Sequence, residues 1–135
     1  MTTFRYRLEG SKENTIIRPV ANIFFLSKSN RWLEYFLYID SGADVTLIPH
    51  SAGLDLGLTL EDKTVQEIGG IRGSVPVVYV KNKIRLGNHE LDTEIGWALV
   101  EEVPPLLGRR DVFDVFHVNF KQDHQVVEFT PSKTK

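Results

Sequence analysis

The sequence contains no cysteine among its 135 residues. Without thiols the chain cannot carry a disulfide scaffold, an iron–sulfur cluster, a thiol nucleophile or a zinc site with thiolate ligands. The absence does not fix the cellular compartment, because a chain without thiols is insensitive to the redox conditions around it.

The sequence also lacks a strong excess of charge of either sign and any long apolar run. Lys and Arg number 16 and Asp and Glu number 18, for a net charge of -2, so nucleic-acid binding is not expected. No segment approaches the roughly 20 apolar residues of a membrane helix, and the first residues do not resemble a signal peptide. We therefore expect a cytoplasmic protein with no membrane association. Its length suits one domain over residues 1–135, with a core at about 15–130 and a frayed tail at 131–135.

Short apolar segments separated by turn residues predict strands over most of the chain. Residues 15–27 and 32–39 flank the turn residues 28–31 and predict a hairpin. Residues 115–121 and 125–130 predict a second hairpin near the end. Further short strands are predicted at 75–80, 81–86 and 95–100, with a turn at Gly87-Asn88. This pattern favours an all-β domain with a closed, barrel-like sheet.

Helix signals are few. One short helix is expected in the C-terminal third, within residues 109–116. A second signal at 51–58 is weakened by Gly53 and Gly57, because glycine disfavours a helix interior. The sequence therefore predicts very little helix.

The segment at 36–49, FLYIDSGADVTLIP, carries the most chemical information. An apolar stretch delivers Asp40 to a Ser41-Gly42 turn, and a second apolar stretch follows. A carboxylate at the end of a buried strand is costly to desolvate unless donors compensate it, and Gly42 allows the backbone to approach closely. The segment alone also fits an Asx-type turn, in which Asp40 only bonds the backbone two residues on. Both interpretations stay open at this point.

Three landmarks in order resemble the retropepsin-like aspartic proteases, the family that includes the retroviral proteases. The first is the Asp40 segment, continued by Val45-Thr46-Leu47-Ile48. The second, residues 67–73, resembles the glycine-rich flap that closes over substrate. The third, residues 105–109, resembles the second apolar-apolar-Gly motif of the family and is followed by a short helix at 110–115. The resemblance spans about residues 18–130.

The resemblance implies the retropepsin-like acid protease fold and an aspartic endopeptidase that hydrolyses the peptide bonds of extended polypeptide. Because the chain starts at Met1 without a flanking domain, we expect a stand-alone cellular member. The mechanism needs two carboxyls that share a proton, yet the chain has one Asp-Ser-Gly. The simplest solution is a homodimer in which each chain gives one Asp40. Residues 115–130 and the N-terminal strand are expected to help build its interface.

The resemblance also assigns roles to individual residues. Asp40 is catalytic, and an ion pair is expected between Asp44 and Arg109, with Arg110 as the other partner and two solvated charges as the remaining possibility. Apolar subsites are suggested by Val45, Ile48, Ile68, Ile71, Val75 and Leu106. Support of the active-site loop falls to Ser41, Gly42 and Ala43, substrate and flap contacts to Asp44, Ile68, Gly69, Gly70 and Ile71, and structural support to Leu106, Leu107, Gly108 and Arg109.

Other chemistries fit the sequence less well. The four histidines lack short ligand spacing, so no metal and no cofactor are expected. Ser41 lacks the Gly-x-Ser-x-Gly setting of a nucleophilic serine. The remaining alternative is a catalytically weak peptide-binding or assembly module on the same fold.

Overall fold

The computed structural model describes residues 1–11, 13, 15–70 and 73–132. These residues are mostly strand, with two short helices. In chain order the elements are β1 (Thr2–Gly10), β2 (Thr15–Leu26), β3 (Trp32–Ile39), β4 (Thr46–Ile48), α1 (His50–Asp55), β5 (Gln66–Gly70), β6 (Gly73–Leu86), β7 (His89–Ala98), β8 (Leu106–Leu107), α2 (Val112–Val115), β9 (Phe116–Lys121) and β10 (Val126–Pro131). The predicted all-β class is confirmed. Neither helix is long and apolar enough to cross a membrane.

The strands follow the order β5-β6-β7-β4-β8-β3-β2-β1-β10-β9. An additional pairing of β6 with β2 closes a ring through β7, β4, β8 and β3. The barrel-like closure predicted from the sequence is thus present. Ring closure pairs the central strands on both sides and leaves the free edges to the outer strands.

The predicted hairpins form close to their expected limits. β2 pairs antiparallel with β3, and β9 pairs antiparallel with β10. The segments predicted as two strands at 75–86 are one strand, β6, and its partner β7 starts at His89 rather than at residue 95. The pairing of Leu86 with His89 leaves a two-residue turn in which Gly87 has φ 62°. A turn this tight lets pairing begin directly beside it, which lengthens both strands.

The N-terminal strand β1 is the largest departure from the expected strand pattern. Its first half pairs with β10 and its second half with β2. Phe4 lies in the core and meets Phe129 edge to face at 5.5 Å. The core therefore includes residues before the expected start at about 15. The alternating pattern Phe4-Arg5-Tyr6-Arg7-Leu8 was the available signal for this strand.

Both helices have specific reasons for their positions. In α1, a side chain at Gly53 would overlap the indole of Trp97, so the glycine that weakens the helix also lets it pack on β7. The expected C-terminal helix is α2, and it is shorter than residues 109–116. Asp111 and Asp114 form a capping box at its start, and β9 begins immediately after its end. The last three residues of the expected tail lie outside the described residues.

Strand β8 is short but central to the ring. It pairs parallel with β3, where Ile39 lies opposite Leu107, and antiparallel with β4, where Leu47 lies opposite Leu106. Directly after it, a Cβ on Gly108 would overlap the backbone carbonyl of Val45. Only glycine therefore allows β8 to approach the start of β4 this closely.

We expect Gly108→Ala to lower the free energy of unfolding by about 2 kcal/mol or more, because the added methyl meets backbone that cannot rotate away. Urea denaturation followed by circular dichroism measures the change. Gly96→Ala is the matched control, since Gly96 is also buried in a strand but its Cβ would find ordinary contacts at 3.5 Å and beyond. Equal loss in both variants would contradict the proposed close approach.

Candidate active site

Asp40 lies at the end of β3, at the point where the chain leaves the ring. The preceding residues Leu37 and Ile39 are buried, while Asp40 is half-buried. Its backbone N–H donates to the carbonyl of Leu107 at 3.1 Å, and its carbonyl accepts from the N–H of Ala43 at 3.2 Å. A buried strand and a tight turn therefore fix the backbone on both sides of the carboxylate.

The Asp40 carboxylate is held by one backbone donor. The N–H of Gly42 donates to Oδ1 at 2.9 Å, which is the Asx-type turn that the sequence allowed. A Cβ at Gly42 would lie 3.3 Å from this same oxygen and crowd it. In the described part of the chain Oδ2 accepts no hydrogen bond. The turn thus orients the carboxylate and leaves one of its oxygens available.

The chain after β8 holds the Asp40 loop from the other side. The N–H of Gly108 donates to the side-chain oxygen of Thr46 at 3.1 Å, and Thr46 is fully buried. The N–H of Arg109 donates to the carbonyl of Ala43, and that of Arg110 donates to the carbonyl of Asp44, both at 3.0 Å. Three consecutive amides therefore bind the loop that carries Asp40, and this contact is called the amide strap below.

The predicted ion pair between Asp44 and Arg109 is confirmed. Arg109 Nη2 lies 2.6 Å from Asp44 Oδ1, and Arg109 Nη1 donates to the carbonyl of Ser41 at 2.6 Å. Arg110 instead binds Glu94 at 2.7 Å. Because the Asp44 side chain is 79% exposed, we expect the pair to contribute at most about 1 kcal/mol to folding. Its geometric effect is to fix the loop between residues 41 and 44.

Asp40 separates two cavities. The first, the hairpin cleft, measures about 340 Å³ and lies between the Asp40 loop and the β5–β6 hairpin. The second, the ribbon cavity, measures about 530 Å³ and reaches the β1–β2 ribbon. The hairpin cleft is lined by Asp40, Gly42, Ala43, Asp44, Val45, Leu47, Ile68, Gly69, Tyr79, Leu106 and Arg110. The ribbon cavity is lined by Glu9, Arg18, Pro19, Tyr38, Ile39, Asp40, Pro104 and Leu106. Asp40 and Leu106 are thus shared by the two linings.

A polar cluster forms one wall of the ribbon cavity. The Tyr38 hydroxyl donates to both carboxylate oxygens of Glu9, at 3.0 and 3.1 Å. Arg18 Nε lies 3.5 Å from Glu9, and its guanidinium stands over the Tyr38 ring at 5.5 Å. The hydrogen bond to Glu9, assisted by burial, raises the pKa of Tyr38. Tyr38 therefore remains a protonated donor at neutral pH and keeps the ribbon against β3.

The residues expected to contact substrate from the hairpin divide into three groups. Ile68 and Gly69 line the hairpin cleft, whereas Gly70 is described only as the last residue of β5. Ile71 lies outside the described residues. The hairpin itself is present, with Gly69 opposite Ser74 in the register. Its two described cleft residues face the Asp40 loop.

The residues predicted to form apolar subsites do not all reach the hairpin cleft. Val45 and Leu106 line the hairpin cleft, but Ile48 is 1% exposed in the core and Val75 is not part of the lining. Ile48 faces inward because its neighbour Leu47 takes the cleft side of the strand, and successive side chains alternate. Ser41 is exposed. The subsite prediction for Ile48 is wrong, because its side chain faces the core. The prediction for Val75, which lies opposite Ile68 in the β5–β6 register, stays a prediction.

Thr46, Leu47 and Tyr79 belong to the site but were given no role by the sequence reasoning. Thr46 receives the amide of Gly108, and Tyr79 lines the cleft from β6. Thr46 had a signal, because it is a polar residue within the apolar run 45–48. Tyr79 had none, since its position depends on how β6 folds over the Asp40 loop.

Comparison with known proteins identifies the architecture. No family model matches the chain, and no curated protein is similar to it in sequence. Among solved structures, a retropepsin-like aspartic protease from Rickettsia conorii superposes with a TM-score of 0.66 at 12% identity, over 94% of this chain and 98% of that one. The chain has the retropepsin-like fold. The EIAV protease, solved with the inhibitor HBY-793, gives a TM-score of 0.53 at 20% identity, over 75% and 88% of the two chains. At these identities the likeness concerns the fold.

We expect Thr46→Val to lower the free energy of unfolding of this retropepsin-like chain by about 1–3 kcal/mol, because the buried Gly108 N–H then has no acceptor. Thr46→Ser keeps the hydroxyl and should restore most of the loss. Chemical denaturation of the three proteins provides the measurement. If Thr46→Val were as stable as the parent chain, the amide strap would not depend on this bond.

Proposed function

We propose that the chain is a homodimeric aspartic endopeptidase, in which one Asp40 from each copy activates water against a peptide bond of an extended polypeptide. The observation that carries the proposal is the Asp40 carboxylate itself. It stands between two cavities on a retropepsin-like fold, with one oxygen bound by Gly42 and the other available.

The chemistry requires two carboxyl groups in different protonation states. One carboxylate takes a proton from water as the water oxygen attacks the carbonyl carbon, and the protonated neighbour donates to the carbonyl oxygen. The proton then passes to the leaving amine as the C–N bond breaks. Two adjacent carboxyls cannot both ionise cheaply, so they share one proton and titrate as a pair. No metal and no organic cofactor enter this sequence of steps.

The second carboxylate has to come from another copy of the chain. Among the described residues, two further acids line a cavity together with Asp40: Asp44, which Arg109 binds at 2.6 Å, and Glu9, which accepts from the Tyr38 hydroxyl. An isologous dimer places identical residues on its two-fold axis. Because Asp40 is also accessible from the ribbon cavity, a second Asp40 loop has a route of approach on the side away from the hairpin.

The hairpin supports a polypeptide substrate. β5 ends the strand order of the sheet, so it has main-chain groups available for an added strand. An extended peptide in the cleft would bind such an edge by main-chain hydrogen bonds, and apolar pockets would select side chains. Val45, Leu47 and Leu106 supply the apolar part of the cleft. The hairpin would then act as the flap over substrate.

The decisive variant is Asp40→Asn. We expect it to reduce kcat/KM on a mixed peptide pool by about a hundredfold or more, since an amide cannot act as the base. Cleavage products are quantified by mass spectrometry at mildly acidic pH. Asp123→Asn, in an exposed turn with its side chain 80% exposed, controls for loss of a charge. If parent and Asp40→Asn cut equally poorly while both bind peptide, the chain is a peptide-binding module instead.

The dimer makes a separate prediction about concentration. Specific activity should fall on dilution, because separation of the copies removes half of each catalytic pair. Activity is measured across a dilution series, and the molecular mass is followed by analytical ultracentrifugation. A demonstrated monomer with full turnover would exclude the shared site. The cytoplasmic location expected from the sequence stays a prediction.

A further inference from the structure

A third concave site adjoins the hairpin cleft and has a different charge. It measures about 340 Å³, and its lining includes three lysines, Lys28, Lys63 and Lys81. We call it the lysine cavity. Tyr79 lines both this cavity and the hairpin cleft. The two sites are therefore neighbours with one side chain as their common wall.

The three lysines are not neutralised locally. The described lining of the cavity contains no acidic residue, and no ion pair engages Lys28, Lys63 or Lys81 within the described part of the chain. Glu94 lies opposite Lys81 in the β6–β7 register, but Arg110 binds its carboxylate at 2.7 Å. The cavity therefore concentrates positive charge on a chain whose net charge is -2. A concave surface with charge of one sign focuses the field toward an incoming ion of opposite sign.

Backbone contacts set the positions of the lysines. The N–H of Lys28 donates to the carbonyl of Leu56 at 2.9 Å, and a Cβ at Gly57 would lie 3.0 Å from the side-chain stem of Lys28. Lys63 is placed by its N–H bond to the carbonyl of Leu60 at 3.1 Å. Lys81 stands on β6 two residues after Tyr79 and therefore on the same face. Three separate segments thus bring lysines to the lining of one cavity.

We propose that the lysine cavity binds acidic side chains of the same polypeptide that occupies the hairpin cleft. This inference rests on the proposed function, because it assigns the substrate class of that site. Tyr79 joins the two sites, and an extended peptide advances about 3.3 Å per residue. A substrate therefore needs only a few residues beyond the cleft to bring glutamate or aspartate carboxylates to the lysines. The preferred substrates carry an acidic run on one side of the cleaved bond.

The test compares two labelled peptides with the same apolar centre, one ending in three glutamates and the other in three glutamines. Each is made with the run at either end. Binding to the Asp40→Asn chain is measured by fluorescence anisotropy, so that no cleavage interferes. Only one of the two positions of the run brings the glutamates to the lysine cavity. At about 20 mM salt the glutamate peptide with the run in that position should bind about fivefold more tightly than the matching glutamine peptide, since each exposed charge contact contributes little. At about 300 mM salt the difference should shrink to less than about twofold.

The strand β6 offers a matched control variant. Lys81 lines the cavity, whereas Lys83, two residues further on the same face, pairs with Asp92 at 3.6 Å. Lys81→Gln should reduce the preference for glutamate about two- to threefold, and Lys63→Gln with Lys81→Gln should remove most of it. Lys83→Gln should leave it unchanged. Equal affinity for the two peptides would overturn the proposed site. An equal loss of glutamate preference in Lys81→Gln and Lys83→Gln would overturn it as well.

A cleavage assay on the parent chain separates the two proposals. If the chain prefers the glutamate peptide because of its lysines but cleaves neither peptide, the protease proposal is overturned and the binding site stands. Cleavage of both peptides with equal kcat/KM would leave the protease standing and overturn the lysine cavity. Faster cleavage of the glutamate peptide, lost in Lys81→Gln but not in Lys83→Gln, supports both.

Discussion

The amide strap is the contact on which the rest of the site depends. The N–H groups of Gly108, Arg109 and Arg110 bind the loop that carries Asp40, and the first of these bonds ends on the buried hydroxyl of Thr46. An unsatisfied buried amide is costly, so the loop and the strand β8 hold each other in one arrangement. That arrangement also requires glycine at 108, because the backbone carbonyl of Val45, just before β4, occupies the space of a side chain. The catalytic candidate is thus fixed mainly by backbone.

The Asp40 carboxylate is the group in this site whose desolvation has to be compensated. A carboxylate at the end of a buried strand needs donors, and the chain supplies one through Gly42. Within the described residues this single donor orients Asp40 through Oδ1 and leaves Oδ2 without a hydrogen bond. The proposed dimer meets this need with a second carboxyl and a shared proton. Asp44, the acid of the same loop, is engaged by Arg109.

The sequence predicted the parts of the fold that depend on local pattern. The hairpins β2–β3 and β9–β10 follow from apolar runs beside turn residues, and the pair of Asp44 and Arg109 was implied by the family resemblance. The departures have two causes. β1 is stabilised by long-range pairing with β2 and β10 from opposite ends of the chain. β7 extends to His89 for a local reason, because it follows a tight turn after β6. Ile48 was expected in a subsite and faces the core, since one step along a strand reverses the face.

By itself the sequence determined the chemistry that is possible: a chain without thiols, one Asp-Ser-Gly, glycines where turns and close approaches need them, and an all-β pattern. The tertiary structure decided which groups meet. Tyr79 becomes the wall between the hairpin cleft and the lysine cavity, and Lys28, Lys63 and Lys81 converge from three segments. Neither fact can be read from neighbouring residues, because closure of the ring brings together positions that are far apart in the chain. Local pattern sets which strands form, and sheet closure sets what their side chains face.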